Sequence, residues 1–298
     1  MYSISELEQL SGVQTHTIRI WERRYKALTP MRSAGNTRFY DDDQLRKLLN
    51  IVSLSQSGLK ISQVCALSEQ EIDNLLKKEI DSTVSPDANC EFYISQLLGF
   101  GLAYNEREFD ELISKCIADF GLPFAYKNVI YPLLVRLGLM WRRDNICPAQ
   151  EHFLSNIIRQ KIFAAINQIP LKSKTKSTWL LFLPEDEDHD IGLLFANYML
   201  RSYGQKVIFL GGRVPFESLI DAMLHNRIDH MLLFLVRSRP VANANQYLNQ
   251  LAEHFQQTKI YIAGNNKLIP ELALKGNVSA IQSIEAFEET IKTIKHGS

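Results

Sequence analysis

The stretch Leu181-Phe182-Leu183-Pro184-Glu185-Asp186-Glu187-Asp188-His189-Asp190-Ile191-Gly192 decides how the C-terminal part of this chain folds. An apolar run from Trp179 to Leu183 has the length of a buried strand and stops at Pro184. A tight acidic loop follows, and an amphipathic helix begins near Asp190. In an open α/β sheet, ligands sit at the carboxyl ends of strands, where such a loop lies. A histidine there offers a ring nitrogen to a metal, and Glu187 is placed to hold the other nitrogen and fix the tautomer. Gly192 lets a bulky ligand approach the helix backbone closely. Taken alone, the same residues also suit a solvated acidic loop with one stray histidine.

Around this stretch short apolar strands alternate with helices. Strands are expected at about 178–183, 206–210, 230–236, 259–263 and 278–281, with helices near 190–203, 216–226, 241–256, 267–274 and 284–294. The alternation argues for a Rossmann-like (flavodoxin-like) parallel sheet over residues 178–298. The second strand runs into Gly211-Gly212-Arg213-Val214-Pro215, a loop on the same edge as His189, and the fourth ends at Ala263-Gly264-Asn265-Asn266.

Before the polar linker 171–177, helical stretches at about 91–104, 106–120, 123–143 and 148–168 make residues 90–170 a four-helix bundle. Trp141 ends its third helix, and Glu151-His152 falls in the first turn of the fourth. An aromatic face there can stack on a flat ligand while Glu and His exchange hydrogen bonds with hydroxyls. Trp141 as a core plug and Glu151 as a helix N-terminal acid is the plainer alternative.

Residues 1–76, followed by a linker at 77–89, form a small helical module. Ser3-Ile4-Ser5-Glu6 is a capping box opening a first helix, and a second runs from about Thr15 to Tyr25. Its outer faces carry His16, Arg19, Arg23 and Arg24. From Thr15 to Tyr40 six basic residues stand against one acid, Glu22, which is the electrostatic footprint of a phosphate-binding surface. Two helices joined by a short turn, the second basic, suggest a helix-turn-helix. Ser33 to Tyr40 reads as a hairpin wing, and Asp41 or Asp42 caps a third helix. Arginines that merely solvate one face of a bundle are the alternative.

The bulk numbers set bounds. A chain of 298 residues, 46% apolar and carrying 33 basic against 33 acidic side chains, holds more than one core and has no overall polyanion-seeking charge. No apolar run approaches the ~20 residues of a membrane span. Cys65, Cys90, Cys116 and Cys147 are scattered, which argues for reduced thiols in a cytoplasm and against a zinc site.

Ile4-Ser-Glu-Leu7, Ser11-Gly-Val13, Thr17-Ile-Arg19-x-Trp21-Glu22-Arg23 and Asn36-Thr-Arg38-Phe39-Tyr40 together resemble the winged helix-turn-helix of MerR-type transcription regulators. Trp141, nine residues, then Glu151-His152 resembles a signature of the CarH/LitR group, the cobalamin-dependent members of that family. Glu187-x-His189-x-x-Gly192 resembles a cobalamin-binding signature. The resemblance implies His189 as lower ligand to cobalt and Trp141, Glu151 and His152 around the 5′-deoxyadenosyl group of adenosylcobalamin. It also implies the Gly211, Gly212, Val214 and Gly264 region beside the cofactor, the Thr17/Arg19 helix in the major groove of double-stranded DNA, and Arg38 and Tyr40 near phosphates. The chain departs in four places: a polar break stands where many such proteins continue into a dimerising coiled-coil helix; the third strand, Leu232-Leu233-Phe234-Leu235-Val236, lacks a serine, with Ser238 arriving late; Asn265 replaces a second glycine; and Arg142 stands where photoreceptor members have a histidine.

The expected function is that of a cytoplasmic DNA-binding regulator, not an enzyme, whose operator affinity and oligomeric state (dimer or tetramer) respond to adenosylcobalamin. Two other readings stand beside it. One keeps DNA binding but makes the cobalamin domain a cofactor-free interaction module. The other is a cobalamin enzyme, a methyl-transfer carrier or mutase subunit, against which the N-terminal module speaks.

Overall fold

The computed structural model describes the chain except residues 12, 33–35, 57–58, 73, 76–85, 142–147, 171–176, 238, 266–267 and 297–298. It packs as two compact units, Met1–Ile158 and Arg159–Ser298.

The first unit opens with α1 (Ile4–Ser11) and α2 (Thr15–Tyr25). The capping box is present: Ser3 N–H donates to the Glu6 carboxylate, and Glu6 N–H donates to Ser3 Oγ at 3.3 Å. Helix α2 ends because Lys26 takes a left-handed conformation (φ 52°), after which Ala27 and Leu28 turn inward. The wing is the antiparallel pair β1 (Met31–Arg32) and β2 (Arg38–Phe39). Asp41, the first of the two candidate caps, accepts Gln44 N–H at 2.9 Å and starts α3 (Asp42–Gln56). A short α4 (Ile61–Val64) follows. Leu7, Ile18, Leu45, Leu48 and Leu49 are fully buried and form the core beneath this module.

The bundle comprises α5 (Pro86–Leu102), α6 (Glu106–Phe120), α7 (Leu122–Ala125) continued through a π turn (Tyr126–Ile130) into α8 (Tyr131–Trp141), and α9 (Pro148–Asn167). Helix α5 starts inside the stretch read as linker, since proline suits the first turn of a helix. The remainder of that linker, and the one at 171–176, lie outside the described residues. Helices α3 and α5 pack directly on each other, and Gln96 Nε2 donates to Asn50 Oδ1 across them at 2.9 Å. A bidentate pair from Arg136 to Glu91 ties α8 to α5.

Helices α5 and α9 meet at Gly101, where an added Cβ would lie 2.2 Å from Leu154 Cδ2 and 2.7 Å from its Cγ. Leu154 is fully buried and has nowhere to retreat. Gly101→Val should therefore destabilise this unit by about 3 kcal/mol, the upper end of overpacking costs. Gly99→Ala, whose Cβ would meet only Arg46 Cγ at 3.8 Å, should be neutral or gain up to ~1 kcal/mol in helix propensity. Denaturant midpoints of the two variants decide this, and equal midpoints would mean the helices do not cross there.

The second unit is a parallel sheet of five strands: β3 (Thr178–Pro184), β4 (Lys206–Val214), β5 (His230–Leu235), β6 (Lys259–Gly264) and β7 (Val278–Ala280), in the order β4-β3-β5-β6-β7. Helices α10 (Ile191–Ser202), α11 (Phe216–His225), α12 (Val241–His254) and α13 (Ile284–His296) connect and cover it. Strand β3 is buried from Trp179 through Leu183 because both its faces are covered. Alternation sends Leu180, Phe182, Met231, Leu233, Leu235, Ile260 and Ile262 to the α11/α12 core. Trp179, His230, Phe234 and Tyr261 face the other way, against α10 and α13. The switch in strand order falls between β3 and β5, which puts the end of β3 where open sheets hold ligands.

Two expectations are corrected. In place of the helix expected at 267–274, the described residues from 268 on hold a 3-10 turn (Ile269–Glu271), because Pro270 supplies no N–H to extend it and Ile269 and Leu272 are drawn into the core. Gly211 to Val214 is not a free loop. It continues β4, bulged where Gly211 (φ 81°) and Arg213 (φ 55°) turn left-handed, and Val214 pairs with Pro184.

His230 lies 4.5 Å from Trp179, centroid to centroid, and 5.9 Å from Tyr261, with its Nδ1 unpaired. Burial, reinforced by Lys259 and opposed by Asp229, pushes its pKa down from 6.5 to about 4. The unfolded chain therefore binds a proton that the folded chain refuses between those values. Stability is whole above pH 6.5 and falls as pH drops toward about 4, by about 3 kcal/mol in all. His230→Phe should flatten that slope in denaturation curves taken at pH 7 and pH 5. An unchanged slope would show that this imidazole is not the group responsible.

Candidate functional site

Pro184 ends β3 and accepts Glu187 N–H at 2.9 Å, so the acidic loop closes as a tight turn that folds Glu187 inward. Glu187 is completely buried, and both its oxygens are in use. Oε1 lies 2.5 Å from His189 Nδ1 and accepts the backbone N–H groups of Asp188 and His189 at 3.2 and 3.3 Å. Oε2 accepts Val236 N–H at 2.9 Å, Arg237 N–H at 2.7 Å and the Arg239 guanidinium at 3.1 Å. Its carbonyl accepts Arg213 N–H at 3.0 Å from β4. One side chain thus bolts the end of β3 to the segment after β5. Burial alone would raise its pKa, but the bonds from His189 and Arg237 and the charge of His189 outweigh that and hold it at about 2.

The hydrogen bond to Glu187 holds His189 above the usual histidine range, against the opposing effect of burial. A neutral ring in this setting keeps its proton on Nδ1 and turns the Nε2 lone pair outward from a side chain that is 53% exposed. The neighbouring carboxylates are paired as well. Asp186 meets Arg239 at 3.0 Å, Asp188 meets Arg213 at 2.7 Å, and Asp190 meets Arg159, in the part of α9 belonging to this unit, at 2.7 Å. A solvated acidic loop is therefore not what the sequence encodes. Glu187, Asp188 and His189 lie close enough to surround an ion, yet both Glu187 oxygens and Asp188 Oδ2 are already taken by hydrogen bonds and ion pairs. What the loop leaves available is one imidazole nitrogen, the donor set suited to an axial position on a metal whose other ligands come with it.

The glycines have mixed roles. A Cβ on Gly212 would come 3.5 Å from the Glu187 carbonyl, so the loop rests on β4 there. Gly264 (φ 127°) is required by the sheet, since a Cβ would lie 2.5 Å from Leu235 O. Gly192 is approached by the protein itself: a Cβ would lie 2.7 Å from Phe234 Cε1. Val214 is buried in the α11/α12 core and supports the loop instead of facing a ligand. Of the residues questioned in the third strand, Leu233 points into that same core and only Phe234 faces α10. The arginines at 159 and 239 escaped sequence reasoning, because nothing in their own neighbourhoods ties them to a distant loop, and Arg213, though in the segment expected on the His189 edge, was not read as a partner of Asp188.

In the first unit, Glu151 and His152 occupy the first turn of α9, with His152 Nδ1 3.0 Å from the Glu151 carboxylate and the His152 side chain 73% exposed. The side chain of Trp141, Arg142 and Ser238 lie outside the described residues.

The outer face of α2 exposes His16, Arg19, Arg23 and Arg24, with Thr17 half-buried. An open groove of about 780 Å³ runs along it, lined among others by His16, Arg19, Arg23, Lys26 and Arg38. Arg38 is 3.4 Å from Glu22. Tyr40, expected near phosphates, is fully buried and donates its hydroxyl to Glu22. Burial and that carboxylate raise its pKa, and it holds the wing to α2 instead of meeting solvent.

Comparison with known proteins follows this division. Residues 2–71 match the family described as MerR HTH family regulatory protein, and residues 93–165 match the B12 binding domain family. The HTH-type transcriptional repressor CarH of Myxococcus xanthus is 32% identical over 85% of this chain and 84% of its own. The repressor CarA of the same organism is 27% identical over 79% and 77%. Among solved structures, the monomethylamine corrinoid protein of Methanosarcina barkeri matches with a TM-score of 0.53 at 17% identity, covering 66% of this chain and 96% of that one, which shows a shared fold.

Proposed function

The chain belongs to the MerR-type transcription regulators that carry a cobalamin-binding domain, and from that premise we propose how its residues divide the work of a cobalamin-responsive DNA-binding regulator. His189 would hold the cobalt of cobalamin through Nε2. Glu187 orients it and keeps its Nδ1 proton in place. Gly211 and Gly212 would lie beside the ring, and Trp141, Glu151 and His152 would serve an adenosyl group. The ligand, when bound, supplies a cobalt–carbon bond whose presence or loss distinguishes two states of the protein. On the DNA side His16, Thr17, Arg19, Arg23 and Arg24 present the major-groove surface, and Arg38 meets phosphate from the wing. Paired half-sites call for a dimer or tetramer, and a ligand shifts that equilibrium by its differential affinity for the two arrangements.

The observation that carries this reading is the buried Glu187 carboxylate on His189, which leaves a single outward nitrogen. No helix among the described residues is long and apolar enough to cross a membrane, and action on DNA in the cytoplasm is the setting proposed. The test is the visible spectrum of the purified protein with adenosylcobalamin in the dark. The wild type should give the spectrum of a histidine-ligated, base-off cobalamin, and His189→Ala should not. An identical spectrum from both would remove His189 as ligand.

A further inference from the structure

Cobalt in a corrin ring has one lower axial position. When a protein imidazole takes it, the nucleotide base that cobalamin carries there is displaced, and its tether needs a path past the rim of the sheet. Such a path would run past the start of α10, one turn beyond His189, and a side chain occupies that place.

At Gly192, near the start of α10, the Phe234 ring sits against the glycine, 2.7 Å from the place of the missing Cβ. Behind Phe234 on the same sheet face lies an aromatic layer. His230 stacks on Trp179 at 4.5 Å, Trp179 on Tyr261 at 5.3 Å, and Phe287 of α13 closes edge-on at 6.2 Å. Trp179 is fully buried, and His230 and Tyr261 are 7% and 9% exposed. Beyond Phe234, β5 and β6 stay paired to their ends. Asn265 N–H donates to Leu235 O at 2.8 Å, its side chain donates to Val236 O at 3.3 Å, and Gly264 lies against the Leu235 backbone.

We propose that Phe234, seated on Gly192, is a specificity-determining residue that makes this chain favour corrinoids without a bulky nucleotide base over cobalamin itself. This rests on the His189 reading and deepens it. A ring that ends at its side chains meets His189 without disturbing the layer, whereas cobalamin binds only after the Phe234 ring has been turned out of its seat.

The full-length chain is titrated in the dark with adenosylcobinamide and with adenosylcobalamin, followed by visible absorbance. Wild type should bind adenosylcobinamide about tenfold or more tightly, a discrimination within the reach of one pocket-filling side chain. Phe234→Ser should move the ratio of the two dissociation constants at least about tenfold toward adenosylcobalamin, and Phe234→Leu, which keeps an apolar filler, should move it partway. Equal or tighter binding of adenosylcobalamin by wild type, or a ratio that neither variant moves, overturns the proposal and leaves the His189 reading standing. Failure of wild type to bind either corrinoid overturns both.

Discussion

Replacing Glu187 with alanine should cost the sheet unit about 3–5 kcal/mol and should weaken any metal held by His189 by about 10- to 100-fold. The cost is large because the carboxylate is fully buried and the groups around it have nowhere else to turn. Removing it strands the N–H groups of Val236 and Arg237 and leaves the Arg239 guanidinium, itself only 10% exposed, with Asp186 as its remaining partner. Each unsatisfied donor carries a desolvation penalty, and the largely buried cation adds more. The ligand effect comes from the other oxygen, since without Oε1 the imidazole is free to rotate and to change tautomer. Glu187→Gln separates the two effects. An amide keeps the volume and one acceptor oxygen, so stability should recover more than metal affinity does. Thermal unfolding and cobalamin titration, measured on both variants, check this. A Glu187→Ala protein as stable as wild type would show that the loop is not bolted by this residue.

Arg19→Ala should weaken binding to the operator by about 1–3 kcal/mol if its guanidinium makes a bidentate contact to a base edge. Arg19 stands exposed in α2, one turn before Arg23, and lines the same groove. The two differ in what their loss should change. Arg23→Ala, as a phosphate contact, should weaken all sequences alike and make the salt dependence shallower by about one counterion, whereas Arg19→Ala should also relax the base preference at one position. Tyr40→Phe addresses the revised role of the wing. It removes the hydroxyl bonded to Glu22 and touches no surface, so any loss of DNA affinity must come from a loosened wing. Operator affinity unaltered by Arg19→Ala would show that α2 is not the reading helix.

How much of this was legible in the sequence depended on whether a feature is local. The capping box at Ser3 and Glu6, the Asp41 cap, the basic face of α2 and the short β1–β2 hairpin are written in residues a few positions apart, and all were found. The strand–loop–helix around His189 was legible for the same reason, down to the Glu187–His189 contact. Partners brought in by topology were not. Arg239 reaches Glu187 from 52 positions away, and Arg159 reaches Asp190 from 31 positions before it, so only the folded sheet reveals that the loop's acids are neutralised. Tyr40 misled because an aromatic hydroxyl in a wing reads as surface, while a bridge to Tyr2 pulls it under. Gly192 was read as leaving room for a ligand, and the sequence does not say that the Phe234 ring packs there.

The packing of α3 on α5 also governs how the molecule comes apart. Because these helices share a buried layer and the Asn50–Gln96 bond, the N-terminal segment is not a bead tied to the bundle by a string. Cutting the backbone in the segment between α4 and α5 should leave both pieces associated until denaturant melts that layer. A fragment ending before α5 would bare the face of α3 that carries Asn50, so truncation is a poor route to an isolated DNA reader.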